Sequence, residues 1–140
     1  MKIICNYCGG RTGEICVLSG QNYFPFADWD DFCVEIISWW IHILICESQN
    51  SSFDFPFMVG LYELHFQKDT KGILVSGVDG WKDDGTIVFQ EMTSLSAIQA
   101  ELITVAHAIL SCPCTDEKMK DELVRLADNL RRLEKDILKE

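Results

Sequence analysis

Cysteine, histidine and carboxylate side chains are the residues of this chain whose types and spacing could do chemistry. Cys5-x-x-Cys8, followed by Gly9-Gly10, has the spacing of one knuckle of a zinc ribbon. Two thiolates so placed grip tetrahedral zinc, but a closed structural site has four ligands and no second CxxC exists. Cys112 and Cys114 complete such a set only if the two ends of the chain meet, and Cys16 is another third ligand. Half a motif leaves incidental reduced thiols as the plainer reading. The three histidines, His42, His65 and His107, form no HxxxH pair and read as hydrogen-bonded structural residues. Asp79 to Gly85 looks acidic enough for calcium, yet Asp84 and Gln90 stand where the calcium loop requires Gly and Glu. It reads as a solvated turn, with Trp81 folding back onto the sheet. Asp31 and Glu35 share a helix face at i, i+4 without any sign of a pocket, and no phosphate-cradling or nucleophile motif is present. The expectation is a protein that is not an enzyme and carries no cofactor or metal.

Charge is distributed unevenly. The formal net charge is −10. Between Thr12 and Gln67 stand eight acids and not one Lys or Arg, whereas Cys112 to Glu140 carries eight acids and seven bases. The first stretch is an acidic pole, which disfavours nucleic acid and anionic membrane and favours basic protein partners. Tyr23, Phe24, Phe26, Trp29, Phe53, Phe55 and Phe57 interleave with those carboxylates. Rings that anchor and charges that steer suit docking to a basic surface, although Phe26 and Trp29 read as largely core. Asp28, Asp30, Asp31, Glu35, Glu47 and Asp54 are the candidate partner-binding residues. Asp28 is partly committed if it caps a helix.

The elements that must position these residues are legible from periodicity. Residues 2–6 and 13–19 read as an opening hairpin, and Asn22-Tyr23-Phe24-Pro25 as a connection. Asp28 reads as the N-cap of a helix running to Cys46, with Asp30 and Asp31 in its first turn. Phe32, Ile36, Trp39, Trp40 and Ile43 make one face and Cys33, Ile37, Ile41 and Leu44 most of the other, the pattern of a helix sandwiched in a core. Three strands of an antiparallel meander follow, over Met58–Gln67, Ile73–Val78 and Thr86–Glu91. Ser96 and Gln99 have capping-box spacing for the next helix, with an apolar stripe from Leu95 to Leu110. After Cys112-Pro113-Cys114, Thr115 or Asp116 caps a last helix in which Met119, Leu123, Leu126, Leu130, Leu133 and Ile137 repeat in an a/d pattern.

At 140 residues the chain fits one domain spanning 1–140, an α+β fold with an antiparallel sheet packed against a buried helix and two C-terminal antiparallel helices. The apolar run Ile36–Cys46 is about half the roughly 20 residues a membrane span needs, and the N-terminus lacks a signal-peptide stretch. Seven cysteines, several inside apolar segments, suit a reducing compartment, so a cytoplasmic protein, monomeric or weakly dimeric, is expected.

Tyr23-Phe24-Pro25-Phe26-Ala27-Asp28-Trp29-Asp30-Asp31-Phe32, followed by Ile37-Ser38-Trp39-Trp40, resembles a group of bacterial immunity proteins of polymorphic or contact-dependent growth inhibition toxin systems. Their pattern is a strand, a P-x-x-x-W-x-D-F segment, an apolar helix with a Trp-Trp pair, a meander and C-terminal helices. The resemblance implies a protein that binds a cognate toxin domain, often a nuclease, and blocks its active surface. Such a surface is basic because it must hold phosphate, which matches the acidic pole. Cys5-x-x-Cys8 lies outside that pattern. The alternative is a zinc-stabilised adaptor or regulatory module built on Cys5, Cys8, Cys112 and Cys114.

Overall fold

A computed structural model describes residues 1–82 and 85–139. The opening hairpin forms where its alternation places it: β1 (Lys2–Asn6) pairs antiparallel with β2 (Gly13–Ser19), Ile4 facing Cys16. The other edge of β2 is shared by two short strands, β3 (Asn22–Phe24) and β4 (Asp30–Asp31). The segment read as a connection is thus partly strand, because Val17 to Ser19 offers it free backbone groups.

α1 spans Cys33–Glu47 and so begins four residues later than the aspartate spacing suggests. Asp28 does not cap it. Its φ of 60° is left-handed, and Asp30–Asp31 pair with Gly13–Glu14 instead of entering the first turn. The residue before the helix is Phe32, which makes no side-chain cap. What holds α1 is burial: Val34, Ile36, Ile37, Trp40, Ile41 and Leu44 are enclosed. Each such side chain contributes about 1.5–3 kcal/mol. Trp40 stacks on Phe55 at 5.2 Å and donates its indole N–H to the Pro56 carbonyl at 2.7 Å. Its neighbour Trp39, read as core, is exposed.

A second antiparallel sheet has the order β5 (Ser52–Pro56), β6 (Tyr62–Asp69), β7 (Gly72–Asp79) and β8 (Thr86–Thr93). Three strands of it are the expected meander. β5 is additional: Phe53 and Phe55 point inward and Asp54 outward, the period of a half-buried strand. Residues 58–61 are correspondingly a turn, closed by the Phe57 N–H donating to the Tyr62 carbonyl at 3.0 Å. Leu64 and Phe66 are buried on β6 while Glu63 and His65 fall on the other face.

α2 (Leu95–Ser111) is capped by Ser94, whose hydroxyl accepts from the Ala97 N–H at 3.1 Å. Ser96 and Gln99 do not form the expected box, and Gln99 is buried. Asp116 caps a short 3-10 turn that leads into α3 (Lys120–Leu138). On α3, Leu126, Leu130 and Leu133 are buried, as the a/d repeat requires, against α1 and α2. Asn129 ties α3 to α1 by donating to the Ser38 carbonyl at 3.1 Å and hydroxyl at 2.9 Å. α1 therefore lies at the centre, in contact with both sheets and both later helices.

Candidate functional site

Asp31 organises the surface at one end of the molecule. It is 1% exposed, and its carboxylate accepts three hydrogen bonds: Phe32 N–H at 2.8 Å, Val59 N–H at 3.0 Å and the Trp29 indole N–H at 3.1 Å. A carboxylate so saturated holds the Met58–Leu61 turn against the start of α1. As a partner contact Asp31 is thereby corrected, since burial removes it from any docking protein. Gly60, at φ 80°, makes the turn tight, and a side chain there would meet Tyr62 and the Trp81 indole nitrogen. The Gly80 N–H donates to the Leu61 carbonyl at 2.7 Å, tying that turn to the one after β7. Phe26, Trp29 and Tyr62 form a ring cluster with centroids 5.2–6.0 Å apart, which adds the loop before β4.

Three loops therefore meet, and they present large apolar side chains to water. Phe26 is 56% exposed, Leu61 56% and Trp81 65%, with Met58 and Val59 beside them. Trp81 does not fold back onto the sheet, and Phe26 is not core. Contiguous exposed rings of this kind mark interaction surfaces. Asp28 and Asp30, on either side of Trp29 in the chain, are exposed. Asp83 and Asp84, which belong to the acidic turn compared with a calcium loop, lie outside the described residues.

The remaining sequence candidates disperse. Glu47 ends α1, about 20 Å of helix away from its start. Asp54 is exposed on the outer face of the second sheet, accepting from His65 Nδ1 at 2.6 Å. Burial pushes the nearby Glu63 carboxyl above its ordinary range, with the Asp54 charge adding to the effect.

Beside the apolar surface a cleft of about 430 Å³ opens between α1 and α3. Glu35, Trp39 and His42 reach it from α1, Glu122 and Arg125 from α3, and Met58 joins it to the Met58–Leu61 turn. Burial raises the Glu35 carboxyl above the usual range; Glu122 and Asp31 add to the rise, while a backbone N–H and Arg11 oppose it. One Glu35 oxygen, Oε1, is buried without a hydrogen-bond partner. A convergent polar cleft was not visible in the sequence, because its walls come from helices far apart in the chain. The i, i+4, i+7 spacing of Glu35, Trp39 and His42 was the available signal.

The cysteines separate into two situations. The two cysteine-bearing loops meet, although not at the chain termini: the Thr115 N–H and hydroxyl both donate to the Gly9 carbonyl, at 2.9 and 3.0 Å, while the N-terminal amine reaches Glu91. That puts the loop carrying Cys8 beside the one carrying Cys112 and Cys114. Cys5 instead turns inward to Cys33. The interaction with Cys33, and burial after it, raises the Cys5 thiol far above its usual range; the same interaction lowers Cys33 against the opposing effect of burial. Tyr7, close by, is pushed up to about 12 by burial first and then by the neighbouring cysteines and Glu35. Among the described residues no three His, Cys, Asp or Glu side chains converge as a metal site. Among them, too, no helix is long and apolar enough to cross a membrane. Comparison of the chain with family models, with curated proteins and with solved structures found no match.

Proposed function

We propose that this protein is an immunity protein, a stoichiometric inhibitor that docks on the basic active surface of a cognate toxin, a nuclease acting in the bacterial cytoplasm. The observation that carries the reading is the exposed apolar surface of Phe26, Leu61 and Trp81, the first two of which lie in a stretch of chain with eight acids and no bases. Aromatic anchors supply affinity once water is excluded, and surrounding carboxylates raise the encounter rate with a basic partner. Asp28, Asp30 and Glu35 are its charged contacts at this end of the molecule. Glu47 and Asp54 stand apart from it and belong to the interface only if the partner wraps further.

The test is a growth assay with the product of the gene immediately upstream. Expressed alone, that product arrests growth; co-expressed with this chain, it does not. A harmless neighbour, or arrest that persists in the presence of folded protein, contradicts the reading.

A second reading, a zinc-stabilised adaptor, is favoured by one observation, the hydrogen-bonded meeting of the two cysteine loops at Gly9 and Thr115. It predicts one equivalent of zinc in purified protein, lost together with folding on chelation.

A further inference from the structure

The cleft between α1 and α3 differs in chemistry from the apolar surface beside it. Glu35 enters no ion pair among the described residues, and its Oε1 is buried without a donor. The cation facing it across the cleft, Arg125, is already engaged by Glu122 at 2.7 Å. Arg11 and a backbone N–H offset the Glu35 charge only in part, so a carboxylate with no cation paired to it is left beside the half-exposed indole of Trp39 and the thioether of Met58. A carboxylate desolvated without a partner costs stability, and a cation entering the cleft beside it would offset that cost through its charge. A guanidinium does so with paired N–H donors and also stacks on an indole face, which a compact ammonium does less well. The volume of about 430 Å³ admits one long side chain and falls near the lower end of small-ligand clefts.

We propose that the α1–α3 cleft is a socket for a single arginine side chain of the protein partner, with Glu35 as its carboxylate and Trp39 as its stacking wall. The proposal rests on the partner reading above and adds the residue chemistry of its central contact. Continuity through Met58 makes the socket and the apolar surface one footprint.

The experiment uses the whole chain without the partner. ¹H–¹⁵N spectra are recorded during titration with N-acetyl-arginine amide and with its neutral isostere, N-acetyl-citrulline amide. The Trp39 indole resonance is assigned with Trp39→Phe. Arginine amide is expected to shift that resonance saturably, with a Kd of about 1–10 mM for so small a ligand. Citrulline amide, and arginine amide on Glu35→Gln, are expected to bind at least about fivefold more weakly, since each removes the charge pairing. Equal affinity for the two ligands, unaltered affinity in Glu35→Gln, or no saturable shift of Trp39 overturns the socket. A chain that rescues growth yet ignores arginine refutes the socket alone. One that binds arginine without rescuing growth refutes the toxin reading alone.

Discussion

Asp31 and Glu35 are four residues apart and have opposite electrostatic situations. Asp31 is saturated by three donors, and removing its carboxylate leaves the Phe32 and Val59 N–H groups and the Trp29 indole without their acceptor. Asp31→Ala is expected to cost about 3 kcal/mol or more in chemical denaturation, and to loosen the Met58–Leu61 turn. Glu35 is the reverse case. Its folded-state pKa is raised, so the folded chain holds that proton to a higher pH than the unfolded chain does. Ionised Glu35 therefore costs stability above its folded pKa, and the cost vanishes below the ordinary glutamate value. Of the charged groups around it, Glu122 on α3 and Asp31 on β4 push in that direction, and Arg11 in the first hairpin loop opposes them. Glu35→Gln should accordingly raise Tm at pH 7, with the gain disappearing near pH ~4. A gain that persists at low pH, or none at neutral pH, would show that the carboxylate is not the strained group.

At the scale of elements, the attachment of the first hairpin loop to the loop after α2 joins distant parts of the chain and can be tested. Gly9 sits at φ 89°, and a Cβ there would lie 2.2 Å from the Pro113 carbonyl oxygen. Gly9→Ala combines a disfavoured backbone with a clash against main chain, and a loss of about 2–3 kcal/mol is expected by thermal or denaturant unfolding. Gly20, also at positive φ, has open space around it, so Gly20→Ala isolates the backbone cost at about 1 kcal/mol. Equal losses at the two positions would mean that the two cysteine loops are not in contact. The strands and helices themselves were legible wherever burial is one-sided: residues 2–6 and 13–19, the meander, and the a/d stripe of α3. The start of α1 was misread because Asp28, Asp30 and Asp31 imitate an N-terminal turn, while their backbones are taken by β2. β5 was missed because its inward phenylalanines read equally well as loop aromatics.

For the whole molecule, the acidic pole could be seen in the sequence, but the surface it surrounds could not. Phe26, Leu61 and Trp81 lie in three separate connections, brought together by the Asp31–Val59 and Leu61–Gly80 hydrogen bonds and by the Phe26, Trp29 and Tyr62 ring cluster. Nor does periodicity distinguish Trp39 from Trp40, since a helix apolar on nearly all sides leaves either indole equally plausible as core. If the apolar surface anchors a partner, Phe26→Ala or Trp81→Ala should weaken the complex about 10- to 100-fold while leaving Tm within a degree or two, because exposed rings contribute little to the fold. Loss of stability in proportion to loss of binding would reassign those rings to the fold.

The most direct measurement is the Kd for the product of the upstream gene, taken by calorimetry at about 50 and 500 mM salt on wild-type protein and on Asp28→Asn/Asp30→Asn. The account predicts a 1:1 complex that weakens as salt rises, chiefly through slower association, with a shallower salt dependence in the double variant. No complex, or one indifferent both to salt and to the two aspartates, would contradict it.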